Sequence, residues 1–182
     1  RWYRRRQRQM CIRDRDTSGC LALAKNRQAL QVAQSQFRLR QVKKIYEVFV
    51  HGLWPKNLRT VQLKLLRYET SWGERRVKVS SEGQSARTDF SLLDQAGERA
   101  TRLQATLHTG RTHQIRVHTS ANHHPIIGDD KYGRQEGVTQ IPCARLCLHA
   151  RKLVIPLDQD VLKVVAPVDE TLENIWADLK SS

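Results

Sequence analysis

The segment HTGRTHQIRVH at residues 108–118 constrains the fold more than any other stretch of the chain. It contains three histidines, two arginines and one glycine, but only two aliphatic residues. Gly110 predicts a turn with a positive φ, and Ile115 and Val117 alternate with polar residues as in a half-buried strand. Composition and spacing alone fit two interpretations equally: the solvated basic end of a surface hairpin, or a segment built for binding or catalysis.

Alternating apolar and polar residues predict five successive strands before and into this segment. Short turns separate them, including Trp72-Gly73-Glu74 and residues 95–98. Closely spaced strands joined by short turns are typical of antiparallel sheets. The predicted strands are residues 43–52, 59–68, 75–80, 86–94 and 99–108.

Further elements are predicted on either side of these strands. The apolar run at residues 20–24 predicts a buried strand, and Asn26 is placed to cap a helix that runs to about Arg38. We therefore expect an α+β fold, with a mixed, mostly antiparallel sheet flanked by a few helices. Two more strands and a C-terminal helix are predicted at residues 145–155, 161–167 and 169–180.

The charge balance predicts a polyanionic partner. The chain has 182 residues, enough for one domain with a sizeable core, and a formal net charge of +14. Residues 1–13 contain six arginines and no acidic residue, which leaves +8 on residues 14–182. The four cysteines form no CxxC pair and no dense framework, so we expect reduced thiols in the cytoplasm. No segment is apolar and long enough to predict a membrane span.

Several motifs together resemble the RluA family of RNA pseudouridine synthases, most closely its RluC-type members. They include GRTHQIRVH in the opening segment, His124-Pro125, and GDDKYG at residues 128–133. DRDTSG at residues 14–19 is similar to the second half of the family motif HRLDxxTSG. The resemblance extends over residues 14–182 and implies the pseudouridine synthase catalytic fold, without a separate S4-like RNA-binding domain.

The resemblance implies a catalytic set for the isomerisation of uridine to pseudouridine. Asp14 corresponds to the catalytic aspartate, and Arg116 lies beside it in the family. Tyr46, within KKIYEVFVHG at residues 43–52, corresponds to the tyrosine that stacks on the flipped base. The family also has a helix starting at about Thr112, against the strand suggested by periodicity, and we follow the family.

The same resemblance implies RNA contacts, a substrate and no cofactor. Leu148, in the Leu-His-Ala motif of residues 148–150, corresponds to a leucine packed by the catalytic aspartate. The expected substrate is large-subunit ribosomal RNA, bound by a monomer, and the reaction requires no metal, nucleotide or redox cofactor. The residues assigned to RNA binding are Arg111, His113, Gln114, Lys131 and Leu148.

The N-terminus departs from the family motif. Residues 11–14 read CIRD where the family has HRLD, so Ile12 replaces an arginine that helps to fill the space left by the flipped base. We interpret residues 1–13 as a foreign segment or a disordered basic arm, joined to a catalytic domain that is incomplete at its N-terminus. An RNA-binding fragment without turnover is therefore an alternative function.

A zinc hydrolase is a second alternative, from a different enzyme class. The spacing of the histidines in and after the opening segment matches no standard ligand pattern such as H-E-x-x-H. The sequence pattern also offers no cysteine as a metal ligand beside these histidines. The histidines concerned are His108, His113, His118, His123 and His124.

Overall fold

The computed structural model describes residues 14–157 and 160–181, and it contains an α+β fold. In this part of the chain, eight strands form one sheet and three helices flank it. In chain order the elements are β1 (Ser18–Gly19), α1 (Arg27–Arg38), β2 (Lys43–His51), β3 (Thr60–Glu69), β4 (Arg75–Val79), β5 (Gln84–Ala96), β6 (Ala100–Leu107), α2 (Gln114–Ser120), β7 (Leu148–Pro156), β8 (Val161–Val165) and α3 (Glu170–Ser181).

The sheet is mixed and mostly antiparallel, as expected from the sequence. Its strand order is β1-β7-β2-β6-β5-β3-β4, and β8 pairs with β7 outside this path. The one parallel pair among the described strands is β1 with β7, in which Ser18 lies opposite His149. One edge of β7 pairs with β2 throughout, while β1 and β8 divide the other edge between them. β7 therefore pairs with a strand near the start of the described chain, β1, and with one near its end, β8.

The helices cover the sheet because each places an apolar or enclosed face against it. In α3, the side chains of Leu172, Trp176 and Leu179 are buried, and Asp169 caps the first turn by accepting a hydrogen bond from the backbone N–H of Leu172 (3.1 Å). Asn26 caps α1 in the same way, accepting from the N–H of Ala29 (2.8 Å). These caps satisfy N–H groups that a helix leaves unpaired. Both predicted helices are thus confirmed.

The strand predicted at residues 20–24 is wrong. Only Ser18 and Gly19 pair with β7, and from Lys152 onward β8 occupies that edge. The run contains one isolated bridge residue, Leu23, and no strand; its alternate residues Cys20, Ala22 and Ala24 are buried, while Leu21 and Leu23 are 44% and 64% exposed.

The opening segment contains a helix, so the strand suggested by its alternation is also wrong. Helix α2 begins at Gln114, and six of its seven residues are buried. A helix enclosed on every side leaves no 3.6-residue pattern for the sequence to display. The positive φ expected at Gly110 is found at His113 instead, where φ is 51°. Across the described residues, no helix is long and apolar enough to cross a membrane.

Candidate active site

A carboxylate and a guanidinium from distant parts of the chain meet above the sheet. Asp14 lies just before β1, and Arg116 lies in the first turn of α2. The Nη1 of Arg116 donates a hydrogen bond to Oδ2 of Asp14 over 2.5 Å. The Arg116 side chain is 1% exposed and that of Asp14 is 18% exposed, so the carboxylate faces outward from a buried partner. The pairing expected from the resemblance is therefore present in the structure.

Arg116 is held by a second carboxylate that sequence analysis did not assign. Asp129 is fully buried and accepts two hydrogen bonds from Arg116, from Nε (2.8 Å) and from Nη2 (2.6 Å). Asp130, which is exposed, accepts a further bond from Nη2 (2.9 Å), and the guanidinium lies 5.3 Å from the centre of the Tyr132 ring. A bidentate contact fixes the guanidinium plane. The GDDKYG motif was the available signal for Asp129 and Tyr132.

The surroundings keep Asp14 ionised. Burial alone raises the pKa of a carboxyl group, but the hydrogen bond and charge of Arg116 outweigh it and lower the pKa of Asp14 below its usual value. Burial would lower the pKa of Arg116, and its bonds to Asp129 and Asp14 raise it instead. The pair therefore presents a charged carboxylate at neutral pH, which suits a nucleophile or a base.

Tyr46 projects from an irregularity in the sheet. The register between β2 and β7 shifts between Ile45 and Glu47, where Ala150 and Arg151 of β7 form a β-bulge opposite the single residue Tyr46. Bulges change the direction of a side chain and are frequent beside active sites. Leu148, the first residue of β7, is buried next to the same space. Tyr46 and Leu148 line the same cavity as Asp14.

The loop before α2 is held by an internal network centred on Gln114. Its Oε1 accepts hydrogen bonds from the hydroxyl of Thr109 (2.7 Å) and the N–H of Arg111 (3.0 Å). Its Nε2 donates to the carbonyl of Arg87 (3.0 Å) and the hydroxyl of Thr88 (2.9 Å). The amide has no donor or acceptor left for RNA. Gln114 therefore holds the loop in shape, and its assignment to RNA binding stays a prediction.

One cavity of about 990 Å³ collects most of the residues selected from the sequence. Lys131 is not among its lining residues: its Nζ pairs with Glu74 over 2.8 Å. Three further arginines, which were not selected from the sequence, also line the cavity, so its lining is rich in cations. The selected residues that line it are Asp14, Tyr46, Arg111, His113, Gln114, Arg116 and Leu148, and the further arginines are Arg15, Arg67 and Arg75.

Three of the five histidines proposed for a zinc site have other partners. His108 pairs with Asp89 (2.5 Å), His113 contacts the hydroxyl of Tyr132 (2.8 Å), and His124 donates to the carbonyl of His51 (2.9 Å). In residues 14–157 and 160–181, no group of three or more His, Cys, Asp or Glu side chains is arranged to hold a metal ion. The zinc hydrolase alternative therefore has no support from the described geometry.

The fold and this site define a class of RNA-modifying protein. The structure superimposes on that of human RNA Pseudouridylate Synthase Domain Containing 1 with a TM-score of 0.77 and 28% sequence identity, covering 97% of this chain and 81% of that one. A model of the RNA pseudouridylate synthase family matches residues 12–121, more than half of the chain. The chain belongs to this family, which confirms the resemblance noted in its motifs.

Bacterial relatives extend the similarity beyond the residues matched by the family model. The chain is 42% identical over 172 residues to ribosomal large subunit pseudouridine synthase C of Pasteurella multocida, covering 92% of this chain and 52% of the relative. It is 40% identical over 176 residues to the Escherichia coli K12 protein of the same name, covering 93% and 55%. The chain thus spans about half the length of these curated relatives.

Proposed function

We propose that residues 14–182 form the catalytic domain of an RNA pseudouridine synthase. Its substrate would be large-subunit ribosomal RNA, in which it isomerises specific uridines without a cofactor. The observation that supports this best is the ionised Asp14 carboxylate, paired with Arg116 and facing a cavity of about 990 Å³. The names of the bacterial relatives support the ribosomal substrate. We also propose that the protein acts as a monomer in the cytoplasm.

The reaction assigns each residue a task. The bond between N1 of uracil and C1′ of ribose breaks, the base turns, and C5 bonds to C1′ while its hydrogen leaves to solvent. Asp14 acts on the nucleoside as nucleophile or base, and Arg116 keeps it charged and oriented. Tyr46 stacks on the base after it leaves its helix, which offsets part of the unstacking cost of roughly a few kcal/mol. Leu148 packs beside this space.

The arginines at the cavity mouth suit an RNA backbone. Arg67 and Arg75 come from the β3–β4 hairpin and Arg111 from the loop before α2, so cationic side chains approach the opening from different elements. The acidic side chains among the lining residues are Asp14 and Glu82. Phosphate contacts of this kind position RNA without reading its sequence.

An aspartate substitution tests the proposal. In a single-turnover assay that measures tritium released from C5-labelled uridine in unmodified 23S rRNA, Asp14→Asn should abolish release and leave the RNA Kd within a few-fold. Asp16→Asn is the matched control, because Asp16 carries the same charge, is exposed, and lies 4.0 Å from Arg116. Appreciable turnover by Asp14→Asn would remove Asp14 from the mechanism.

RNA binding without turnover is the second candidate, and the residue at position 12 favours it. Ile12 stands where the family has the arginine of HRLD, and it lies outside the described residues. The substitutions Cys11→His, Ile12→Arg and Arg13→Leu, made together, should then raise tritium release above that of the unchanged chain. If the unchanged chain already turns over as fast as the substituted one, Ile12 is tolerated and this candidate fails.

A further inference from the structure

A hydrogen-bonded chain of three groups leads from the sheet to the neighbourhood of Asp14. The backbone N–H of Val77, in β4, lies 3.0 Å from the hydroxyl oxygen of Tyr132. The same hydroxyl lies 2.8 Å from Nδ1 of His113. On the other side of the imidazole ring, Nε2 lies 3.9 Å from Oδ2 of Asp14. The chain thus connects the β3–β4 hairpin to the catalytic carboxylate.

The first bond fixes the direction of the others. The N–H of Val77 can only donate, so the hydroxyl oxygen of Tyr132 accepts from it. Among the hydrogen bonds of the described residues, Nδ1 of His113 is the one acceptor available to the hydroxyl hydrogen. A neutral imidazole that accepts at Nδ1 carries its hydrogen on Nε2. The ring therefore has its N–H on the side of Asp14.

The protonation states of Tyr132 and His113 at neutral pH agree with a hydrogen bond donated by the Tyr132 hydroxyl to Nδ1 of His113. Burial raises the pKa of Tyr132 to about 12, so its hydroxyl keeps its hydrogen at neutral pH. Burial lowers the pKa of His113 below its usual value, and this effect outweighs the opposing charge of Asp14. His113 is accordingly neutral at pH 7, with one acceptor nitrogen and one donor nitrogen.

The Nε2–H of His113 is directed into the cavity without an acceptor of its own. A separation of 3.9 Å from Asp14 is too long for a hydrogen bond. His113 lines the cavity, and within the described part of the chain the one hydrogen-bond partner of its imidazole ring is Tyr132. A small planar ligand lying against Asp14 would bring an acceptor within reach of this N–H. Uracil carries two such acceptors, its carbonyl oxygens.

We propose that Tyr132 fixes His113 as its Nε2–H tautomer, and that this N–H donates to a carbonyl oxygen of the substrate uracil beside Asp14. This inference rests on the proposed function and specifies the atom of His113 that binds the base and what it binds. When the bond from N1 to C1′ breaks, its electron pair moves onto the uracil ring and is shared with the carbonyl oxygens. A donor that is already in position binds this negatively charged base more tightly than the neutral uracil, which accelerates cleavage of the N1–C1′ bond.

Nitrogen NMR tests the tautomer without any need for activity. In protein labelled with ¹⁵N-histidine, the spectrum of His113 at pH 7.5 should show a protonated Nε2 and an unprotonated Nδ1. Tyr132→Phe removes the hydroxyl and should convert this to a mixture of tautomers. Tyr68→Phe, which removes a phenol hydroxyl from the β3–β4 hairpin, should leave the spectrum unchanged. A protonated Nδ1 in the unsubstituted protein would overturn the inference.

Two substitutions of His113 test the donor itself. Its φ of 51° lies in the left-handed region, which asparagine tolerates well. His113→Gln places an amide N–H near the position of Nε2, whereas His113→Asn does not reach it. The single-turnover rate should fall roughly 100-fold for His113→Asn and less than about 10-fold for His113→Gln, with RNA Kd unchanged within a few-fold. Equal losses in the two variants would contradict donation from Nε2.

A binding experiment separates failure of this inference from failure of the proposed function. Asp14→Asn protein is titrated with oligouridylate and with an abasic oligonucleotide of equal length. The Nε2–H resonance of His113 should shift with oligouridylate alone. Absence of binding to either RNA would contradict the proposed function, whereas binding of oligouridylate without that shift would refute the donor assignment specifically.

Discussion

His118 should make the protein unstable in weak acid. It lies in α2, is 0% exposed, and neither ring nitrogen has a hydrogen-bond partner within the described residues. Burial lowers its pKa from 6.5 to about 4. An imidazole enclosed in this way cannot accept a proton without placing an unpaired charge in the interior.

The sign and size of the effect follow from linkage. The folded pKa is depressed, so the unfolded chain takes up a proton at a higher pH than the folded chain does. The contribution of His118 to stability is therefore constant above about pH 6.5 and declines as pH falls toward about 4. Between pH 7.5 and 4.5 this amounts to about 2.5 kcal/mol, a sizeable part of the stability of a typical domain.

Urea denaturation at these two pH values measures the effect. His118→Leu keeps a similar volume and has no titratable group, so its loss of unfolding free energy should be about 2.5 kcal/mol smaller than that of the unsubstituted protein. His123→Asn, at an exposed position where φ is 63°, is the control and should lose as much unfolding free energy as the unsubstituted protein. Equal losses for His118→Leu and the unsubstituted protein would show that His118 is not held neutral by burial.

Three further perturbations have defined outcomes. Gly128→Ala would place a Cβ 1.8 Å from the carbonyl oxygen of Arg145 at a φ of +75° and should lower the free energy of unfolding in urea by about 2–5 kcal/mol. Gly97→Ala, with a positive φ but no atom within 4 Å, should cost only about 1 kcal/mol. Asp129→Asn leaves Arg116 without its buried counterion, so we expect a loss of about 3 kcal/mol and a slower single turnover, while Asp130→Asn should change stability little. The Kd for 23S rRNA fragments should rise at least tenfold between about 50 and 200 mM salt, and a constant Kd would argue against RNA as the partner.

The strands could be predicted from the sequence because their signals are local. Each hairpin carries its own alternation and its own turn, such as Gly73 with φ +82° and Gly97 with φ +54°. Helix α2 has no such signal, because burial on all sides removes the contrast between polar and apolar faces. The family motif supplied that helix, which periodicity alone had assigned as a strand.

Only the site residues that lie in recognisable sequence motifs could be predicted, and their contacts could not be predicted from local spacing. Asp14 and Arg116 are 102 residues apart, and no rule of local spacing brings them together. The roles of Asp129 and Tyr132 depend on the path of the loop after α2, which follows from packing. For Gln114 the resemblance implied RNA binding, whereas the donors and acceptors of its side-chain amide all bond within the protein.

The edge of β7 that β1 and β8 share also affects when the site can form during synthesis. Asp14 precedes a two-residue strand whose register is set by His149 and Ala150, and the hydroxyl of Ser18 contacts His149 Nδ1 over 2.8 Å. During synthesis the N-terminal residues emerge more than a hundred residues before that partner. Contacts between such distant residues form late and slowly. A ribosome-bound nascent chain that has not yet exposed β7 should therefore lack a positioned Asp14 carboxylate, and the proposed catalysis would begin only when roughly the last fifth of the chain has joined the sheet.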